Sequence, residues 1–441
     1  MSLPTLPTVQ KLQEALHAKA KGEPRFRFYA LYDKVFRADV LSLALRRCRN
    51  NGGKPGIDGQ TFDDIAKYGE TKWLGELAEE LRTKTYQPQP VRRVYIPKSD
   101  GKQRPLGIPT IKDRVVQTAL LIVLEPIFEA DLQPEQFAYR AEHSALDAVQ
   151  AVHRLLNTGY TEVVDADLSG YFDSIPHAEL MQCVVRRVSD KAVLHLIKLW
   201  LVAPVEEKDA RGHVHRTTRN KDEGRGSPQG APISPLLANV YMRRFVLGWK
   251  TLGHEQHLQA RIVNYADDFV ICCRRTGEKA QAAMRSMMDR LKLTVNETKT
   301  KLCRVPEETF DFLGYTFGRC YSPKTGRAYL GTRPAKSRIR KLCDSISDLT
   351  CRRNTLLDTE DVVDCLNRRL RGWANYFKLG LASKAYRAVD RHVTTRLRRW
   401  LCKKHKQPGT GYTRYPNEYL YQELDLVRLP SLTRSFPRAN A

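Results

Sequence analysis

The stretch Ile262-Val-Asn-Tyr265-Ala266-Asp267-Asp268-Phe-Val-Ile-Cys-Cys273 constrains the chain more than any other. Two runs of apolar, β-favouring residues flank a pair of adjacent carboxylates. The pattern predicts a strand, a tight turn carrying Asp267 and Asp268, and a returning strand. Neighbouring carboxylates at a hairpin tip repel one another. Water can screen that repulsion, and a divalent cation can neutralise it. Asp is a common turn residue, so the pair alone is ordinary loop chemistry. Upstream, Thr161-Glu-Val-Val164-Asp165-Ala166-Asp167-Leu168-Ser-Gly-Tyr171-Phe172-Asp173 adds an apolar strand that runs into acid and stops at a Gly-containing turn. If this strand pairs beside the hairpin, three carboxylates converge at one sheet edge. Such a cluster suits two Mg²⁺ ions clamping the attacking and leaving oxygens of a phosphoryl transfer.

Charge narrows the partner. With 74 Lys+Arg against 49 Asp+Glu, a net charge of +25 exceeds what solubility requires and points to a polyanion. The longest apolar run, Ala119 to Leu124, is six residues and cannot span a bilayer. Met1 to Gln10 holds no basic region followed by an apolar block, so a secretory signal is not expected and an intracellular protein is. The ten cysteines form no Cys-x-x-Cys pair and are expected to be reduced thiols. At 441 residues the chain is long for one core, and two or three lobes are expected.

Along the chain, residues 8–50 read as two helices with basic outer faces, and Asn51 to Gly59 as a turn-rich connector. Asp100-Gly101 between alternating runs predicts a hairpin with Lys98 and Arg104 on opposing arms, where two cations can grip a triphosphate. Residues 111–132 predict a buried helix ending at Glu125-Pro126, and Ser144 to Asp147 a capped helix start. One amphipathic helix is expected over 178–203 and a polar stretch over 204–225. There His213 and His215 lack a third ligand nearby in sequence, so zinc is not expected. Glycines in Gly224-Arg-Gly-Ser-Pro228-Gln229-Gly230 let backbone approach a ligand, and Ser234 opens a helix. Phe310 to Phe317 alternates aromatics around Gly314. Between Lys336 and Lys406 stand 19 Lys+Arg and 7 Asp+Glu, nearly half the net charge, on helical spacings that present basic faces. The tail beyond Lys403 and Lys404 mixes bases and aromatics.

Taken together, Tyr265-Ala266-Asp267-Asp268, Asp167 to Asp173, Pro228-Gln229-Gly230 and Arg368-Arg369-Leu-Arg371-Gly-Trp373-Ala-Asn-Tyr376-Phe377 resemble the group II intron reverse transcriptase/maturase family, from about Gly52 to Leu432. The resemblance implies an α+β right-hand polymerase. Residues 1–110 would form an N-terminal extension and fingers, and 111–320 a palm with a ferredoxin-like antiparallel sheet and the remaining fingers elements. Residues 330–400 would be a helical thumb and maturase domain, and 401–441 a short basic DNA-binding tail. Alternation puts Asp165 and Asp167 on one face and leaves the choice between them open. The resemblance points to Asp167, which with Asp267, Asp268 and the Leu168 carbonyl would hold two Mg²⁺ ions, Mn²⁺ being a substitute. Phe172 matches a steric gate against the 2′-hydroxyl. Lys98, Arg104, Gln229 and Lys299 match nucleotide contacts, and Phe312, Leu313, Gly314 and Tyr315 a primer grip. Arg338, Arg368, Arg369, Arg371, Trp373, Tyr376, Lys403 and Lys404 would contact RNA or DNA. Implied partners are intron RNA, an RNA template, a DNA primer or target and dNTPs, in a bacterial cytoplasm and without a membrane. Oligomeric state stays open. An H-N-H endonuclease segment, present in many relatives, is not found. Two alternatives remain, a splicing-only RNA-binding maturase and a reverse transcriptase serving defence or repair without an intron.

Overall fold

The computed structural model describes residues 6–97, 103–209, 211, 213–322 and 325–432. Eleven strands form three sheets among them. They are β1 (Val91–Pro97), β2 (Gln103–Ile108), β3 (Glu162–Asp167), β4 (Val205–Lys208), β5 (Val214–Thr217), β6 (Ala260–Tyr265), β7 (Asp268–Cys273), β8 (Lys301–Arg304), β9 (Phe310–Phe312), β10 (Tyr315–Tyr321) and β11 (Ala328–Pro334).

The central sheet has the order β6-β7-β3-β8, antiparallel throughout. Strand, helices, hairpin, helix and strand follow one another along the chain, the split β-α-β layout. Alternation assigns its two faces. Val164, Ala166, Ile262, Phe269, Ile271 and Cys273 join the main core with helix Ile111–Glu129. Val163, Val263, Val270 and Cys272 join a second core roofed by helix Ala145–Asn157 and the aromatics Phe310, Phe312, Tyr315 and Phe317. A sheet covered on both faces explains why these strands read as continuous apolar runs. It also places Asp165, Asp167 and Asp268 on the face that the aromatic β9-β10 hairpin covers.

Several local expectations change in the structure. Helix Ile111–Glu129 continues through Pro126. Proline supplies no N–H to the Ile122 carbonyl, and Gln13 Nε2 donates to that oxygen instead at 2.9 Å. The helix expected over 178–203 is two, His177–Val185 and Lys191–Leu201. Between them Phe28 docks as a β-bridge to Val188, and Asp190 caps the second helix while accepting from the N–H groups of Leu31 and Tyr32. Residues 8–50 hold three helices, Pro7–Gly22, Tyr32–Val35 and Ala38–Asn51. The polar stretch 204–225 contains β4 and β5, which extend the β1-β2 hairpin into a four-stranded sheet. Ser144 and Asp147 form the expected capping box.

Helices Lys336–Leu349, Thr359–Tyr376 and Ser383–Lys404 build a separate core on Ile346, Leu366, Leu370, Tyr386, Leu397 and Trp400. The last helix runs across the boundary expected at residue 400. Tyr415, Leu420, Leu426 and Leu429 return onto the same core, so this segment is part of the helical unit rather than a separate tail. No described helix is long and apolar enough to cross a membrane.

Candidate active site

Register brings the acids together. Asp167, the last residue of β3, pairs with Asp268, the first of β7, so their Cα atoms face each other across adjacent strands. Asp267 sits in the two-residue turn beside them, where Ala266 takes φ 59°. The turn is held from beneath by Asn264, whose side chain is fully buried and donates from Nδ2 to the Ala266 carbonyl at 2.9 Å. The Asn264 backbone is bracketed in turn by Glu135 O and Phe137 N–H. Sequence reading missed Asn264. Its signal was a lone amide in an otherwise apolar strand next to the acids.

Asp268 lies at the mouth of a cavity of about 800 Å³, also lined by Asp267, Phe172, Gln229, Arg104, Tyr139 and Leu313. Water reaches its outer surface, but the walls crowd it. Lost hydration, then Asp267 and Asp167, push its carboxyl up to about 6. Asp167 is engaged differently, since its Oδ2 accepts from Asn296 Nδ2 and Lys299 Nζ, both at 3.0 Å. Asp165 faces the same side one pair further in, opposite Val270 and Lys301, and burial raises its carboxyl to about 7. Asp173 stands apart on the short helix Tyr171–Ser174 and accepts from Gln229 Nε2 at 3.0 Å. Distance from the sheet edge therefore separates the acids that alternation alone could not.

The donor set fits a hard divalent cation. It consists of carboxylate oxygens, it carries mutual repulsion that a cation relieves, and one member already accepts an ammonium. Among the described residues no three His, Cys, Asp or Glu close into a ready-made cage. An open carboxylate edge suits an ion that keeps waters and takes substrate phosphates as ligands. The Leu168–Val295 bridge uses the Asp167 carbonyl, which accepts from Asn296 N–H, and the Leu168 carbonyl is not one of its acceptors. His213 and His215 both turn to Asp209, at 3.1 and 3.6 Å, on the exposed β4-β5 hairpin.

Other expected residues spread over the cavity and beyond. Arg104 lines it from β2, paired in register with Ile96, whereas Lys98 lies outside the described residues. Phe172 presents a half-buried ring, edge-on to Tyr171 at 5.8 Å and to Tyr139 at 6.5 Å. Gln229 belongs to a loop that packs backbone to backbone on β2, Gly107 N–H donating to Gln229 O at 2.7 Å. At Gly230 the backbone comes close to that of Gly107 on β2. At φ 112° a Cβ there would lie 2.6 Å from the Gly107 carbonyl oxygen. Gly230→Ala is therefore expected to cost about 1–3 kcal/mol in denaturant unfolding and to displace Gln229. An unchanged midpoint would disprove that packing argument.

The connector at 51–59 is part of the wall. Asn51, Gly52, Gly53 and Lys54 line the cavity, and Arg114 holds them, donating to the Gly52 carbonyl at 3.2 Å and the Lys54 carbonyl at 3.1 Å. In the helical unit, several cations serve the fold. Arg369 donates to Ser345 O, and Lys404 to the Thr355 and Leu357 carbonyls. Arg368, Arg371 and Lys403 are exposed. Trp373 packs on Phe377 and Tyr386, and Tyr376 donates its hydroxyl to Leu313 O.

Residues 96–317 match the family described as reverse transcriptase (RNA-dependent DNA polymerase), and residues 339–417 match the group II intron, maturase-specific domain. Protein YkfC of Escherichia coli is 32% identical over 348 residues, which cover 70% of this chain and 87% of that protein. The group II intron-encoded protein LtrA of Lactococcus lactis is 34% identical over 229 residues, 51% of this chain and 36% of LtrA. A putative COX1/OXI3 intron 1 protein of Saccharomyces cerevisiae is 30% identical over 207 residues, 46% of this chain and 23% of that protein. Reverse transcriptase domains generally use divalent metal ions, which agrees with the oxygen-rich edge built by β3 and β7. An acidic edge in the first matched segment and a basic helical unit in the second place the chain in the group II intron reverse transcriptase/maturase family, as an RNA-directed DNA polymerase joined to a splicing-assisting maturase domain.

Proposed function

We propose that the chain extends a DNA primer on an RNA template with dNTPs, and that it binds its intron RNA through the helical unit. The observation that carries the reading is the Asp167–Asp268 register pair, set at the mouth of a cavity that Phe172, Gln229 and Arg104 also line. In right-hand terms, β3, β6, β7 and β8 act as palm, the β1-β2-β4-β5 sheet as fingers, and the three helices after residue 335 as thumb.

Asp167, Asp267 and Asp268 would hold two Mg²⁺ ions, which when bound supply Lewis-acid activation of the primer hydroxyl and neutralise charge on pyrophosphate. The chain's own groups do the rest. Arg104 binds triphosphate oxygens from β2, and the Phe172 ring excludes a 2′-hydroxyl. Gln229, held by Asp173, is placed against the nascent pair. Lys299 shields Asp167 and stands ready to protonate the leaving group. The β9-β10 turn at Leu313-Gly314 holds the primer end beside the acids.

The test is primer extension by purified protein on an RNA template, followed across pH and Mg²⁺ concentration. With the Asp268 carboxyl raised to about 6, protonation competes with cation binding below that value. Incorporation is expected to fall as pH drops through about 6, with a lower midpoint at higher Mg²⁺. Stability without the ion runs the other way. The folded state binds this proton more tightly than the unfolded chain, so stability declines as pH rises from near 3.8 through about 6. Incorporation that stays flat between pH 7 and 5 would contradict the assignment of Asp268.

A further inference from the structure

Among the described residues ten other than glycine take left-handed backbone conformations, and Tyr139, at φ 56°, is the only aromatic one. That conformation crowds a bulky side chain against its own backbone, and it persists only where the surroundings over-determine it. Here they do. Residues 133–140 run between β6 and helix Ser234–Thr251. On the β6 side Asn264 N–H donates to Glu135 O at 2.9 Å, and Phe137 N–H donates to Asn264 O at 3.0 Å. On the helix side Gln136 Nε2 donates to Asn239 O at 3.1 Å and Asn239 Nδ2 to Ala138 O at 2.6 Å, with both side chains buried. Arg140 closes the segment, donating to the Gln133 and Gln136 carbonyls while its Nε meets Glu129 at 2.9 Å. Both chain neighbours of Tyr139 are therefore pinned, and the strained residue between them is held in place. Asn264 also holds the turn that carries Asp267, so this segment and the acids are referred to one buried side chain.

What the network presents to the cavity is a ring. Tyr139 is 49% exposed and lines the same cavity as Asp267 and Asp268. Its centroid lies 6.5 Å from that of Phe172 with the planes inclined at 73°, while Tyr171 meets Phe172 at 5.8 Å and 62°. Edge-to-face contacts fix the orientation of a ring as well as its position. Tyr171 is buried and anchored by its hydroxyl to Ala238 O, so it serves the protein side of Phe172. Tyr139 serves the cavity side. Among the described residues nothing hydrogen-bonds the Tyr139 hydroxyl, which leaves the ring as the part in use. We propose that Tyr139 is a positioning residue that keeps the Phe172 ring at the cavity wall, so that discrimination between deoxynucleotides and ribonucleotides needs both rings. The inference rests on the polymerase reading with Phe172 as the gate, and it adds the group that fixes where the gate stands.

The experiment is a double-mutant cycle read as selectivity. Incorporation of one dNTP and of the matching rNTP on an RNA template is measured for the wild type, Tyr139→Asn, Tyr139→Gly, Tyr139→Phe, Phe172→Ala and Tyr139→Asn/Phe172→Ala. Asn and Gly tolerate the left-handed conformation, so they remove the ring without unseating the segment. The dNTP-to-rNTP ratio of kcat/KM is expected to fall roughly tenfold in both, the lower end of what the shape of a pocket wall supplies. Tyr139→Phe should keep the wild-type ratio. In the Phe172→Ala background Tyr139→Asn should shift the ratio by less than about twofold, because a brace has no effect once the ring it holds is gone. An unchanged ratio in the two ringless variants would overturn the proposal. So would an undiminished loss on top of Phe172→Ala, which means that Tyr139 acts on the nucleotide itself, and so would a loss in Tyr139→Phe equal to that in Tyr139→Asn. For a variant that turns over too slowly, the same ratio is read as dNTP against rNTP affinity on a dideoxy-terminated primer, which needs no chemistry. A wild type that neither incorporates nor retains either nucleotide would remove the polymerase reading, and a ratio that survives Phe172→Ala would remove the gate. A ratio lost in Phe172→Ala but kept in Tyr139→Asn would remove the role of Tyr139 alone.

Discussion

Asp268→Asn is expected to lower dNTP incorporation by about 10³-fold while RNA affinity stays within about twofold. Asn keeps the size of the side chain and its place opposite Asp167, so the strands have no reason to part. What it loses is one negative charge at the mouth of the cavity, where lost hydration and two neighbouring acids already crowd the site. Removing a charge from a repulsive cluster relieves the ion-free fold, so the variant should melt no lower than wild type without Mg²⁺. The combination of unchanged or higher melting with lost incorporation separates a chemical role from a structural one. RNA binding is read by filter retention, since exposed cations such as Arg368, Arg371 and Lys403 lie in the helical unit and not at this edge. Persistent incorporation by Asp268→Asn and by Asp267→Ala would show that the acids are not the catalytic set.

Phe172→Ala should raise ribonucleotide incorporation relative to dNTPs by roughly 10- to 200-fold, the range within which a pocket wall discriminates by shape. The ring is half-buried, braced edge-on by Tyr171 and Tyr139, and lines the cavity with Gln229 and Asp268. It thus has one side on protein and one on the substrate space. The protein-facing half predicts a stability loss below the ~3–5 kcal/mol of a fully buried Phe→Ala change. Separate rNTP and dNTP incorporation rates decide the matter. If both fall together, the ring is merely core. If the rNTP rate rises while the dNTP rate holds, the gate assignment stands.

Features encoded within a few residues were legible in the chain. The strand-turn-strand around Asp267 and Asp268, the arms of the β1-β2 hairpin, the capping box at Ser144 and the apolar stripes of the C-terminal helices all rest on local periodicity and turn chemistry. Harder were elements whose cause lies elsewhere in the chain. Strand β5 is exposed along its whole length and β4 buries only Val205, against Val91; the pair exists because β1 offers an edge, more than a hundred residues upstream. Pro126 does not end its helix because Gln13 serves the orphaned carbonyl. A break at residues 186–190 follows from the docking of Phe28.

The same division holds at the site. Sequence alone determined which residue types were present: three acids after β-favouring runs, an aromatic five positions beyond the first acid, and a basic excess concentrated after residue 336. Only the tertiary structure decided their placement. Register across β3 and β7, and not alternation, put Asp167 at the edge and Asp165 inside it. A distant acceptor, the Leu313 carbonyl, takes the Tyr376 hydroxyl, and Arg338 is left exposed beside that turn. The physical reason is range. Backbone preference and side-chain periodicity act over a few residues, whereas strand register, hydrogen-bond partners and electrostatic neighbours are set by contacts that exist only once distant segments have packed.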